Sequence, residues 1–212
     1  MTIVITGTSR GIGAGLAAAF AARGEDVIGT TRAGDWPLDV TDPASHAAFA
    51  TKLAGRPVDL LVCNAGVYLD KGHSLGDGFA PDLWRQSFDT NVTGVFLTVE
   101  ALLPNLRAAK AAKIAIISSQ MASSERAPGG SYIYRASKAA VLNLGRNLAK
   151  DLASENIAVG IYHPGWVRTD MGGAGGEIGV GDSVGGLVAR FDHLAMATTG
   201  CFETWDGRPH AF

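Results

Sequence analysis

Residues Val58 to Cys63, Lys113 to Ser119 and Ile157 to Tyr162 form nearly continuous apolar runs, and stretches with helical spacing separate them. A strand apolar on both faces must be covered on both faces, and strands that alternate with helices run parallel. The chain is therefore predicted to be α/β, a single Rossmann-type doubly wound parallel sheet of six to seven strands over residues 1–212. At 212 residues, 47% hydrophobic and 18% charged, it carries enough apolar side chain for one core of that size.

The first strand–helix unit is the most informative. Thr2 to Thr6 is a β-branched run, Gly7 to Gly13 (Gly7, Thr8, Ser9, Arg10, Gly11, Ile12, Gly13) is a glycine-rich turn, and Ala14 to Arg23 favours helix. Such a turn lets backbone approach a ligand closely, and the free N–H groups at the helix start attract phosphate. Asp26 to Arg32 reads as the second strand, ending where the adenosine ribose of a dinucleotide would lie. Arg32, with Arg10 in the turn, favours a 2′-phosphate and hence NADP; Asp35 nearby would favour NAD instead. Only Ala33 to Asp35 then separate this strand from Trp36 to Val40, whereas a parallel crossover takes a dozen or more residues. The crossover between strands 2 and 3 is truncated, which predicts a shortened or irregular third strand and an exposed adenine side. Thr41, Asp42 and Pro43 cap a helix to about Leu53.

Asn64, Ala65 and Gly66 end the run at Cys63 with small residues, as suits ligand approach at a strand's C-terminal end. Residues 67–80 form a loop at that edge, and a helix is expected from about Pro81. Asn91 sits in its middle, where a kink or a polar task is expected of so poor a helix former. Tyr134 and Lys138 are four apart in a helical segment and share a face, where an ammonium favours the phenolate. Residues 171–182 hold six glycines in twelve positions and read as a flexible flap. Residues 67–80 and 171–182 are the candidate substrate loops.

Net charge −2 and a pI near 6.2 provide no basic field, so nucleic acid is not expected as a partner. The apolar run from Ala14 to Ala22 is too short for a membrane span. Met1 to Ile5 enters a strand without a basic leader, and a cytoplasmic protein is expected. Cys63 and Cys201 lack partners at metal-ligand spacing, and no metal site is expected.

Together these motifs resemble the short-chain dehydrogenase/reductase family, from Met1 to the C-terminus. Thr6 to Gly13 match its TGxxxGxG cofactor turn, Asp39 and Val40 its adenine contact, and Asn64, Ala65 and Gly66 its NAG motif. Asn91, Ser119, Tyr134 and Lys138 match its catalytic tetrad, and Pro164, Gly165, Val167 and Thr169 fall in its PGxxxT segment on the nicotinamide side. Ser118 is the alternative to Ser119, since the interval from Ser119 to Tyr134 is longer than in much of the family. Ser118 to Met121, Gly130 to Lys138 and His163 to Met171 are most similar to the C-factor and sniffer-type carbonyl reductases. The resemblance implies an NADPH-dependent reductase of a small-molecule carbonyl, with Tyr134 as general acid, Ser119 orienting the carbonyl, Lys138 lowering the Tyr134 pKa and holding the nicotinamide ribose, and Asn91 seating a water. Tyr134 and Lys138 thereby also count among the cofactor contacts. The alternatives are an NAD-dependent alcohol dehydrogenase and a nucleotide-binding signalling protein. Pairing through residues 91–109 and 134–153 would give a homodimer or homotetramer.

Overall fold

A computed structural model describes residues 1–212. In chain order the elements are β1 (Thr2–Thr6), α1 (Gly11–Ala22), β2 (Asp26–Thr30), α2 (Pro43–Lys52), β3 (Leu60–Cys63), α3 (Pro81–Phe88), α4 (Gly94–Arg107), β4 (Lys113–Ile117), α5 (Tyr132–Asp151), β5 (Ala158–His163), α6 (Val180–His193) and β6 (Phe202–Thr204). The six strands form one parallel sheet in the order β2-β1-β3-β4-β5-β6.

Every residue of β3 and β5 is buried, as their apolar runs require. Alternation along the strands splits the core in two. Val4, Leu61, Ile114 and Val159 meet Phe49, Leu102 and Val141 from α2, α4 and α5. On the opposite face Ile5, Val62 and Tyr162 meet Leu16 and Phe20 of α1 and Leu187 and Phe191 of α6. The sheet is thus doubly wound, and the C-terminal ends of its strands share one rim.

The short link after β2 has the expected result in an extreme form. The Leu38 N–H donates to the Thr31 carbonyl at 2.7 Å, and a single parallel bridge joins Thr31 to Pro37. The expected third strand is reduced to this bridge and β2 becomes the sheet margin, with Pro37 offering no N–H on the outer side. Residues 36–40 are held to α2 instead: Leu38 is buried, and Trp36 packs edge-on against Phe49 at 6.0 Å with Lys52 Nζ 4.4 Å from its ring. Asp42 caps α2 by accepting from the Ala44 N–H, with Pro43 in the first turn.

The helix expected from Pro81 is broken by a π-helical turn at Asp89–Thr93, between α3 and α4. Two packing demands coincide there. Asn91 is buried with its amide engaged, and Gly94 admits the Val40 carbonyl to 2.7 Å from where a Cβ would lie. Such turns recur at functional sites.

The glycine-rich segment 171–182, expected as a flexible flap, makes hydrogen bonds along much of its length. Its end belongs to α6, and the rest is stitched to the preceding loop. Arg168 Nη1 donates to the carbonyls of Gly176 and Glu177, Trp166 Nε1 to that of Gly172, and the Arg168 N–H to that of Ile178. No helix is long and apolar enough to cross a membrane.

Candidate active site

The glycine turn is built by hydrogen bonds that converge on β1 and β2. The N–H groups of Gly7 and Thr8 both donate to the Thr30 carbonyl at 3.0 Å, fixing the turn across the ends of both strands. Gly7 and Gly11 have φ of +73° and +58°, a region open to glycine without strain. Asn64 Nδ2 donates to the carbonyls of Thr6 and Gly7 at 2.9 and 3.0 Å, while Thr6 Oγ1 accepts from the N–H groups of Asn64 and Ala65. The Asn64 side chain thus ties the NAG segment to the glycine turn. A Cβ on Gly13 would lie 2.2 Å from the Gly7 carbonyl and 2.5 Å from Asn64 Nδ2, so only glycine fits under this crossing.

α1 begins at Gly11 without a side-chain cap and without an acidic residue in its first turn. Its amino end, beside the exposed Ser9 and near Ile12, is open to an anion. Thr169 faces it, with its methyl 3.6 Å from where a Gly11 Cβ would be. Arg10 pairs with Asp170 at 2.8 Å across the same gap, so of the two candidate cations Arg10 is engaged and Arg32 has no ion-pair partner. Asp39 accepts from the backbone N–H and hydroxyl of Thr41, which with the nearby Arg32 and His46 holds its carboxyl below the ordinary value. Val40 and Ala65 line one small hollow with Thr6, Thr90 and Gly94, bringing the expected adenine contact beside the NAG segment. On the other side Gly165, at φ +89°, lies against Ile178 and Trp205, Val167 bridges Ile178, and the Pro164 carbonyl accepts from the Ser183 hydroxyl at 2.6 Å.

The four residues expected as a tetrad, of which Asn91 and Lys138 are 47 residues apart, gather at this rim. Tyr134 and Lys138 lie on the buried face of α5, and Lys138 Nζ is 5.7 Å from the Tyr134 ring centre. Nζ donates to the Ile117 carbonyl at 2.9 Å. Gly66 completes the arrangement: a Cβ there would be 3.2 Å from Asn91 Oδ1 and 3.5 Å from Lys138 Nζ. Asn91 Nδ2 donates to Ser137 and to the Val67 carbonyl, and Oδ1 accepts from the Val67 N–H. Its side chain therefore clamps Val67. Ser118 donates to the Lys138 carbonyl at 3.1 Å, whereas the Ser119 hydroxyl accepts from the Met121 N–H at 3.1 Å and lies close enough to Tyr134 to act on its phenol.

Burial governs the titration of the pair. It pushes the Tyr134 phenol up to about 12, against the Ser119 hydrogen bond and with a small contribution from Tyr68, and brings Lys138 down to about 8. The lowering of the phenol expected from the ammonium is not among these causes; burial dominates, and Tyr134 holds its proton at neutral pH.

Two contributors were not evident in the sequence. Tyr68 stacks on Tyr134 with ring centres 4.2 Å apart and its hydroxyl bonded to Ser131, making it a wall of the site. Tyr132, two residues earlier on α5, packs edge-on against Phe79 at 5.8 Å. Asp70 is fully buried, and its carboxyl accepts from the N–H groups of Ile133 and Tyr134 at 2.8 and 3.2 Å. It is the cap of α5, supplied from the loop rather than from Ser131, whose side chain makes no capping bond. Asp70→Ala leaves two buried N–H groups without acceptors and is expected to lower stability by about 1–3 kcal/mol, read from the urea midpoint. A variant of unchanged midpoint would remove Asp70 from that role.

A profile of the short chain dehydrogenase family matches residues 1–177. The C-signal of Myxococcus xanthus is 38% identical over 161 residues, covering 76% of this chain and 96% of that protein. The NADPH-bound carbonyl reductase from chicken fatty liver superposes with a TM-score of 0.91 at 29% identity, over 100% of this chain and 98% of the other. The carbonyl reductase Sniffer of D. melanogaster gives 0.93 at 26% identity, over 100% and 99%.

Proposed function

Because the chain belongs to the short-chain dehydrogenase family, we propose that it is an NADPH-dependent reductase of aldehydes or ketones in which Tyr134 is the general acid. The observation that carries this reading is the gathering of Tyr134, Ser119 and Lys138 at the strand rim that also holds the uncapped start of α1. The cofactor end fits a dinucleotide: α1 starts uncapped, Gly13 lets the glycine turn close against Asn64, and Arg32 just beyond β2 has no ion-pair partner. Bound there, NADPH would supply the hydride. Tyr134, protonated at neutral pH, would donate to the carbonyl oxygen, Ser119 would hold that oxygen in line, and Lys138 would offset charge left on the phenol. Pro164, Gly165, Val167 and Thr169 would shape the nicotinamide side, and Asp39 with Val40 the adenine side. The NADPH-bound carbonyl reductase among the structural neighbours supports the same choice.

The test is an NADPH-consumption screen over aldehydes, ketones, quinones and pterins. Turnover of a carbonyl supports the proposal, and cofactor binding without turnover on any carbonyl or alcohol overturns it. That second outcome would favour a nucleotide-binding signalling protein, a reading favoured by the name of the M. xanthus relative. NADP preference has its own test. Arg32→Ala is expected to weaken NADPH binding tenfold or more while leaving NADH binding within twofold, since only NADPH carries the 2′-phosphate. An equal response to both cofactors would move the assignment toward an NAD-dependent alcohol dehydrogenase.

A further inference from the structure

Beside β6 lies a polar cleft of about 270 Å³ lined by Gln120, Arg126, His163, Trp205, Arg208 and His210, among others. None of its charged or imidazole side chains has a part in the chemistry above. Two features set it apart from an ordinary surface hollow. His163 and His210 are 8% and 7% exposed, with ring centres 6.0 Å apart, yet His163 Nδ1 and His210 Nε2 have no hydrogen-bond partner. Buried polar atoms in native proteins are nearly always paired, and these two unpaired nitrogens belong to rings that line one cleft. Arg126 forms no ion pair, and Arg208 engages only its Nε with Asp206, leaving its terminal nitrogens free. The cleft lining holds Arg126 and Arg208 and no carboxylate, and Asp206 beside it is paired with Arg208.

We propose that this cleft binds a small oxyanion, a carboxylate or a phosphate, through Arg126 and Arg208, with Gln120, His163 and His210 completing its hydrogen bonds. Guanidinium groups match both anions in charge and in the spacing of their oxygens. The volume is about that of nine waters at ~30 Å³ each, ample for either group. Burial drives His163 down to about 4, so it serves as a neutral hydrogen-bonding group, and the positive charge comes from the arginines. Gln120 directly follows Ser119, and His163 directly precedes Pro164, so the cleft adjoins two segments of the candidate active site. The oxyanion has two possible sources: an acidic group on the carbonyl substrate, or a free anion bound on its own.

Imidazole resonances of the full chain, followed by NMR at fixed pH and ionic strength while inorganic phosphate or malonate is added, read the site directly. Saturable shifts of His163 and His210, with His193 on α6 unmoved, are expected. Arg126→Gln combined with Arg208→Gln, both at exposed positions, should weaken that binding tenfold or more. Absence of saturation in the wild type, or the same affinity in the double variant, overturns the proposal. Steady-state reduction of benzaldehyde and 4-carboxybenzaldehyde separates the sources. A tenfold rise in the KM ratio of the carboxylated to the neutral aldehyde in the double variant assigns the cleft to the substrate's own acid group. An unaltered ratio alongside phosphate binding assigns it to a free oxyanion. This second arm rests on the reductase reading, whose failure would appear as no NADPH consumption with either aldehyde and would leave the NMR result standing.

Discussion

Tyr134→Phe is expected to lower kcat for carbonyl reduction by about 10²- to 10⁴-fold while NADPH binding stays within a few fold. The substitution deletes one oxygen from a side chain that is 8% exposed and stacked on Tyr68, so packing is kept and only the proton donor is lost. Circular dichroism and a cofactor titration separate this from misfolding. Retained turnover would remove Tyr134 from the reaction. The pH profile carries the same logic to Lys138. With the phenol near 12 and the amine near 8, both are protonated at pH 7. As pH rises through about 8 the amine loses the charge that offsets a developing phenolate, while the phenol still holds its proton. The rate constant kcat/KM for reduction is therefore expected to be level below pH 7 and to fall above about 8. Lys138→Met should lower it throughout and abolish that falling limb; a limb of the same midpoint in the variant would assign the titration elsewhere.

The second large effect is expected from a single methyl group. Gly13→Ala places a Cβ 2.2 Å from the Gly7 carbonyl and 2.5 Å from Asn64 Nδ2, and neither can withdraw independently, because Asn64 holds Gly7 in place. The glycine turn must shift off the end of β1, with a stability loss of about 1–3 kcal/mol, typical of overpacking, and a fall in NADPH affinity of about a hundredfold or more. Gly185→Ala in α6 is the control: nothing lies within 4 Å of its Cβ, and alanine favours helix, so stability should hold or rise by about 0.5–1 kcal/mol. Equal effects from the two substitutions would show that the crossing at Gly13 is not the cause.

What could be read from the sequence was local. The strand, glycine turn and helix from Thr2 to Ala22 are contiguous, and Tyr134 and Lys138 are one helical turn apart, so each pattern carries its own geometry. The truncated crossover was likewise a matter of counting residues against the span they must cross. Contacts joining distant segments were not legible. Asp70 caps a helix 63 residues away, and Arg10 meets Asp170 across 160. Six glycines in segment 171–182 suggested mobility; that Arg168 donates to the carbonyls of Gly176 and Glu177 there is visible only once the loop is folded back. The titration of Tyr134 was misjudged for the same reason: spacing brings the amine near, but the depth of burial decides which charge survives.

A parallel sheet that lacks its outer strand leaves a row of unpaired backbone groups, an invitation for another chain to add itself as a strand. Here both margins close in the same way. β2 is five residues long and is followed by the bridge from Thr31 to Pro37; β6 is three residues long and is met by a bridge from Glu203 to Pro209. Each bridge ends at a residue that cannot donate, so neither edge can extend its ladder through the segment that covers it. The pairing that either edge could offer another chain is thus curtailed at the segment that covers it, with Pro37 at one margin and Pro209 at the other.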